Sequence, residues 1–260
     1  MKSNPIVVKI GGSTLGQNDT TAEDLVSLQK RGIPVVVVHG GAKDINRWLA
    51  DLRIEPRFVK GLRVTDGDTL KFVTAVLCGL VNKEIVSGIL KLGGKAAGLS
   101  GVDGLMVNAR NLNPELGFVG EEFLIDTGVV DLLLKGGYIP VISPISCNME
   151  TGNNTSPILN VNGDTVAAEL ASALGAEKLV FLTDVPGLYD ETKNVIKHIE
   201  AGNARKLIES NIITGGMAVK IKSCIEALAK VPITRIIDGR VNHALIKEID
   251  GTMEGTTIAA

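Results

Sequence analysis

The chain is predicted to fold as an α/β protein around a mostly parallel sheet covered by helices on both faces. Three observations predict it. Continuous apolar, β-branched runs alternate with helical stretches, the pattern of strands buried on both sides. Two of those runs end in glycine pairs, Gly11-Gly12 and Gly40-Gly41, as strands do when they turn sharply into helices. The 260 residues, 45% hydrophobic, are enough to bury one large core or two lobes sharing a sheet.

Taken in order, Ile6 to Ile10 is the first strand, and 24–31 is a short helix. Pro34 to His39 is the second strand. The stretch 44–52 is helical, with Ile45, Trp48, Leu49 and Leu52 on one face. The alternating segment 57–64, centred on Lys60-Gly61, suggests a small hairpin. From Asp68 to Leu92 runs a long helical stretch that is apolar on several sides (Leu70, Val73, Val76, Leu77, Leu80, Val81), so the core or a partner subunit must cover it. Strands over 95–99 and 105–109 flank a glycine-rich turn. A helix over 129–135 precedes a strand over 139–143. The alanine-rich stretch 161–174 is helical, and 178–182 is a strand entering the loop Thr183-Asp184-Val185-Pro186-Gly187. Two helices, 204–210 and 217–229, lead to a last interior strand over 234–239. A lobe boundary near Gly175 divides the chain into 1–175 and 176–260.

Composition excludes several classes. A net charge of -2 without blocks of like charge argues against a nucleic-acid partner, and 3% aromatic content leaves little for base stacking. Cys78, Cys147 and Cys224 are odd in number and widely spaced, which suggests neither zinc nor disulfides. His39, His198 and His243 lack metal-ligand spacing. The N-terminal apolar stretch is broken at Lys9, too soon for a signal peptide, and no apolar run approaches the ~18 residues of a membrane span. The expected setting is the cytoplasm. No GxxxxGK[ST] loop, protein-kinase motif set or GxSxG elbow is present.

Phosphate chemistry, if present, must use other glycine loops. Consecutive glycines let backbone N–H groups approach an anion, and a following helix N-terminus adds positive potential. Lys9 stands one strand-step before Gly11-Gly12, where its ammonium can reach a phosphoryl group. Taken singly, each glycine pair is equally a tight turn. Arg63, in Gly61-Leu62-Arg63-Val64-Thr65-Asp66, has the planar fork that clamps a carboxylate, although an isolated surface ion pair would look the same. Asn160-Val161-Asn162-Gly163-Asp164 gathers polar atoms where a strand meets a helix, and Asp164 alone could be a helix cap. Lys220 sits in the first turns of a helix preceded by Gly215-Gly216; alone, it reads as a solvated lysine.

In this order the segments KxGG, HGG, GLRVTD, NVNGD, TDVPGLYD and GGMAVK resemble the amino acid kinase family, nearly end to end from Ile6 to Thr257. Within it, GLRVTD and NVNGD are most similar to the acetylglutamate kinase branch. The resemblance implies a three-layer αβα sandwich with a mainly parallel central sheet, whose N-terminal lobe (1–175) holds the amino acid and dimerises and whose C-terminal lobe (176–260) holds ATP. It implies catalytic roles for Lys9, Lys220 and Asp164. Gly40, Gly41, Arg63 and Asn160 would bind the substrate, N-acetyl-L-glutamate. Gly11, Gly12, Thr183, Asp184, Val185, Gly187, Leu188, Ile212, Ile213 and Thr214 would bind ATP. Mg²⁺ would travel with the nucleotide phosphates and water, with no protein metal site.

Ala42 stands where many relatives have a third glycine. Arginine-inhibited hexameric relatives carry an extra N-terminal helix, and this chain starts just before its first strand. The expectation is therefore a homodimer insensitive to arginine, with the apolar 70–81 helix at the interface. The nearest rival is a kinase of carrier-linked aminoadipate, which shares nearly every motif. A rival of another class is a non-catalytic nucleotide or amino-acid sensor of the same fold.

Overall fold

A computed structural model describes residues 4–12, 19–150, 156–190 and 192–260. The chain runs β1 (Ile6–Ile10), α1 (Thr21–Lys30), β2 (Val35–His39), α2 (Ala42–Asp51), β3 (Phe58–Val59), β4 (Leu62–Arg63), α3 (Gly67–Thr74) and a π-helical segment (Ala75–Val81). It continues through α4 (Asn82–Lys91), β5 (Ala96–Ser100), β6 (Val107–Arg110), β7 (Glu121–Ile125), α5 (Gly128–Lys135), β8 (Ile139–Ser143), β9 (Ile145–Asn148) and β10 (Ile158–Asn160). The remainder is α6 (Gly163–Ala173), β11 (Lys178–Thr183), β12 (His198–Glu200), α7 (Ala201–Glu209), α8 (Gly215–Ala227), β13 (Thr234–Asp238), α9 (Ala244–Ile249) and β14 (Thr256–Ala259).

Among the described residues, eight strands form the main sheet in the order β12-β14-β13-β11-β1-β2-β8-β5. Every neighbouring pair is parallel except β13 and β14. The expected mainly parallel α/β sheet is therefore present. Alternation along β1 and β2 divides the core into two layers. Val7, Val36 and Val38 face a layer containing α6 and α8. Ile6, Val8, Ile10, Val35 and Val37 face the opposite layer, containing α1, the 67–91 helix and α9.

The helical stretch over 67–91 is continuous, and it is long and apolar enough to cross a membrane. Its stripe of Leu70, Val73, Val76, Leu77, Val81, Ile85 and Ile89 is buried, which makes it a core helix.

Several details differ from expectation. Strand β13 is interior but not last, because β14 returns antiparallel beside it. The predicted strands over 95–99 and 105–109 exist but separate: β5 edges the main sheet, while β6 joins a four-stranded sheet, β10-β9-β6-β7. On α2 only Ile45 and Leu49 are buried; Trp48 and Leu52 are 37% and 48% exposed, since the helix packs through one narrow stripe. The 57–64 hairpin is present, with Phe58 opposite Arg63 and Val59 opposite Leu62.

Candidate active site

The site lies at the carboxyl ends of the central strands, where ligands of open parallel sheets bind. Register brings the turns together: Lys9 stands beside Val38 and Phe181, and Ile10 beside His39 and Leu182. Gly40 N–H donates to Ile10 O at 2.9 Å, and Gly11 N–H to Leu182 O at 3.1 Å. These bonds lock the glycine turns side by side. They also use two of the four glycine N–H groups, those of Gly11 and Gly40. Among the described residues the N–H groups of Gly12 and Gly41 have no hydrogen-bond partner. The turns are in van der Waals contact, for a Cβ on Gly12 would come 3.1 Å from Gly41 Cα. Ser13, at the end of the first turn, lies outside the described residues.

Lys9 points to the α6 layer. Its Nζ lies 2.6 Å from Oδ1 of Asp164, while Lys220 Nζ, from α8, lies 2.9 Å from Oδ2. One carboxylate thus bridges two ammonium groups from opposite ends of the chain. All three side chains are largely buried, at 11%, 8% and 11% exposure. Burial alone would raise the Asp164 carboxyl, but the Lys9 and Lys220 charges override it and hold the group at about 2. Burial lowers the Lys9 ammonium, with Asp164 opposing and Lys220 reinforcing that effect. The α6 cap is Asn162, whose side chain accepts from the N–H groups of Asp164 and Thr165. Asp164 is thereby free to pair with the lysines. Lys220 also stacks over the Phe181 ring, 4.9 Å from its centroid.

Beside this bridge lies a cavity of about 170 Å³ lined by Lys9, Gly40, Gly41, Arg63, Asn160 and Gly163 among others. Arg63 donates through Nη2 to Asn46 Oδ1 and stacks on Phe58 at 4.7 Å. Its Nη1 is buried with no hydrogen-bond partner, a cost that a bound anion would remove. Asn160 donates to Thr65 Oγ1 at 3.0 Å, and that hydroxyl donates to Arg63 O at 3.0 Å. The side chains of Asn46, Phe58, Thr65 and Asn162 support the predicted residues, and sequence reading missed them in these roles. For Asn162 the signal was present, since Asn two residues before an acidic helix start is a capping pattern.

The other predicted positions lie along neighbouring strand ends. Thr183 closes β11, where its hydroxyl is 2.9 Å from Val185 O and 3.1 Å from Val185 N. Leu188 N–H donates to Thr256 Oγ1 at 2.7 Å, and Gly187 fits closely against the same threonine. Asp184 is exposed. Ile212 and Ile213 N–H groups both donate to Leu207 O, and Ile213 is buried while Ile212 is 42% exposed. Thr214 is the α8 N-cap position without a side-chain cap bond. A Cβ on Gly61 would come 3.2 Å from the Gly215 carbonyl, so the hairpin tip abuts the start of α8.

Two buried lysines, unpaired backbone donors and a half-satisfied arginine around one acid suit a highly anionic ligand pair. The chain belongs to the amino acid kinase family, whose profile matches residues 4–238. It is similar to the acetylglutamate kinase of Dehalococcoides mccartyi strain 195, with 42% identity over 254 residues covering 97% of this chain and 93% of that one. The acetylglutamate kinase of Thermosynechococcus vestitus is 47% identical over 251 residues, covering 94% and 83%. Among solved structures, smu.665 from Streptococcus mutans UA159 superposes with a TM-score of 0.85 at 28% identity, covering both chains fully.

Proposed function

We propose that this chain is an acetylglutamate kinase. It transfers the γ-phosphoryl group of ATP to the side-chain carboxylate of N-acetyl-L-glutamate, giving N-acetylglutamyl 5-phosphate on the route to arginine. The observation that carries the reading is the Lys9–Asp164–Lys220 bridge beside the unpaired N–H groups of Gly12 and Gly41.

A carboxylate oxygen attacks the γ-phosphorus, the bond to the bridging oxygen of the β-phosphate breaks, and ADP departs with that electron pair. The acceptor is already ionised at neutral pH, since its ordinary pKa is about 4, so no general base is required. What the reaction needs is positioning and neutralisation of charge on the moving group. Lys9 and Lys220 supply the positive charge. Asp164 orients both, and its charge opposes the loss of the Lys9 proton that burial favours. Gly12 and Gly41 donate N–H bonds to phosphoryl and carboxylate oxygens. Arg63 Nη1 grips the α-carboxylate of the substrate. Asn160, its NH₂ held by Thr65, offers its oxygen to the N-acyl N–H.

ATP lies along Thr183 to Val185, Gly187 and Leu188, with Ile212 to Thr214 closing the nucleotide site. Among the described residues the cavity lining includes no carboxylate, and Asp164 is committed to two ammonium groups. These residues fit Mg²⁺ carried by the phosphates and water, which is how that ion prefers to bind. Acceptor contacts come from lobe 1–175 and Lys220 from lobe 176–260, so the site lies where the two meet. A homodimer forms through β5, an edge of the main sheet, and the adjoining outer face of the 67–91 helix, where Ala75, Gly79, Lys83 and Ser87 are exposed.

The test offers ATP and Mg²⁺ with N-acetylglutamate, glutamate, aspartate, aminoadipate or UMP, and traps acyl phosphate with hydroxylamine. Hydroxamate should form chiefly with N-acetylglutamate. Formation only with an aminoadipate derivative, or with none of the panel, overturns the assignment.

A further inference from the structure

His39 ends β2, one residue before the Gly40-Gly41 turn, and is fully buried. Its Nδ1 lies 2.9 Å from Gly40 O, and its Nε2 lies 3.2 Å from Asn82 Nδ2. The tautomer follows from how Asn82 is held. Asn82 Nδ2 donates to Val141 O at 2.8 Å and to Leu99 O at 3.2 Å, while Lys83 Nζ donates to Asn82 Oδ1 at 2.9 Å. Reversing that amide would set its oxygen against two carbonyls and its amino group against an ammonium. Nδ2 therefore faces His39; its two hydrogens are shared among three acceptors, and only an unprotonated Nε2 avoids setting donor against donor. The imidazole proton sits on Nδ1 and donates to Gly40 O. A doubly protonated ring would drive a second N–H into the Asn82 amino group. Burial disfavours the charged ring as well and brings its pKa down to about 4; the Gly40 bond opposes this, and the charges of Lys9 and Lys83 reinforce it.

Peptide planarity carries this outward. In a trans peptide, C=O and N–H point in opposite directions. His39 continues the Val35 and Val37 face of β2, whereas Lys9 reaches Asp164 on the opposite face. Holding Gly40 O toward the ring turns the Gly41 N–H toward the Lys9 side, where Gly41 lines the cavity. The 67–91 helix clamps the other side of the turn. A Cβ on Gly41 would come 2.7 Å from Leu77 Cδ2 and 3.3 Å from Val81 Cγ2, both in the π-helical segment that ends immediately before Asn82. Such segments often mark functional sites.

We propose that His39 is a positioning residue for phosphoryl transfer: locked by Asn82 as the neutral Nδ1–H tautomer, it fixes the Gly40–Gly41 peptide so that the Gly41 N–H meets the charge developing between acceptor and phosphoryl group. This rests on the reading that the cavity holds the acceptor carboxylate and the transferring group.

Two measurements test it. In protein labelled with ¹⁵N-histidine, the His39 signals, identified by their loss in His39→Asn, should show a protonated Nδ1 and a bare Nε2, unchanged from pH 6 to 9. An Nε2–H tautomer, or titration near the ordinary value of about 6.5, overturns the proposal. In steady-state assays His39→Leu should lower kcat by about 100-fold, the usual cost of losing one transition-state donor, while moving KM for either substrate by no more than about threefold. His39→Asn, whose Nδ2 can stand in for Nδ1, should recover kcat to within about tenfold of the wild type. If both variants fold and His39→Leu keeps full kcat, or the two are equally impaired, the proposal fails while the functional assignment stands. If the wild-type protein itself turns over no N-acetylglutamate, the assignment fails and the proposal with it.

Discussion

Lys9 Nζ lies 2.6 Å from Asp164 Oδ1, inside a core that water barely reaches. The pair is completed by Lys220 on the other carboxylate oxygen, 2.9 Å away. Removing the carboxylate would leave two buried ammonium groups facing each other. Asp164→Asn should therefore release one lysine's proton or misplace both chains. Expected is a fall in kcat of at least about 100-fold, with ATP binding reduced far less. Lys9→Ala and Lys220→Ala should each cost a similar factor. Single-turnover phosphoryl transfer, compared with ATP binding by calorimetry, measures the split.

Acid should weaken the fold in two steps. The folded pKa of His39, about 4, is below its unfolded value of 6.5, so the unfolded chain takes the proton first. Stability from this group is full above pH 6.5 and falls as pH drops toward 4, by about 3 kcal/mol. Asp164, at about 2 against an ordinary 3.8, adds a further loss of about 2 kcal/mol between pH 4 and 2. Urea unfolding across this range should show a decline beginning below pH 6.5, and His39→Asn should remove its upper portion.

How much was legible depended on local chemistry. The turns after β1 and β2 were readable because β-branched runs ending in Gly-Gly have few alternative meanings. Asn160 to Asp164 and Lys220 were recognisable as polar groups at helix starts, although nothing local announced that Asp164 would bridge both lysines. That bridge depends on parallel pairing of strands far apart in sequence. The four-stranded sheet escaped notice because β7 is half exposed and mixed in polarity, and β10 spans three residues. Strand β14 reads as a polar tail until β13 supplies its partner. His39 and Asn82 were invisible as a pair. One ends an apolar strand, the other lies within a helix, and only Gly98 leaves room for the amide: a Cβ there would overlap Asn82 Oδ1.

Arg63 and Asn160 are expected to govern the amino-acid substrate rather than the chemistry. Arg63→Lys removes the planar fork, and KM for N-acetylglutamate should rise by about tenfold or more with kcat little changed. Thr65 is buried and ties Asn160 to the hairpin. Thr65→Val keeps its shape but deletes both hydroxyl bonds, so the Asn160 amide loses its fixed orientation. A KM increase of about tenfold is expected, because a weakened hydrogen bond to a buried substrate group costs roughly 1.5 kcal/mol. Thr65→Ser should restore most of it. An unchanged KM for Thr65→Val would mean that Asn160 is oriented by other contacts.

The hairpin tip should couple the two substrates. Gly61 has a φ of +84°, which side chains rarely adopt, and it abuts the carbonyl of Gly215 at the start of α8. Alanine there is strained twice, by backbone conformation and by contact. Relief requires the hairpin to withdraw from α8, which separates Arg63, on the hairpin, from Lys220, on the helix. Gly61→Ala should therefore raise KM for both N-acetylglutamate and ATP and lower kcat, at a stability cost of about 1–2 kcal/mol from the left-handed backbone. Gly202→Ala has open space around its Cβ position and an ordinary φ, so it serves as the control and should leave all three parameters unchanged. If Gly61→Ala raised only the amino-acid KM, the hairpin would be acting on its own substrate alone, and the contact with α8 would carry no coupling.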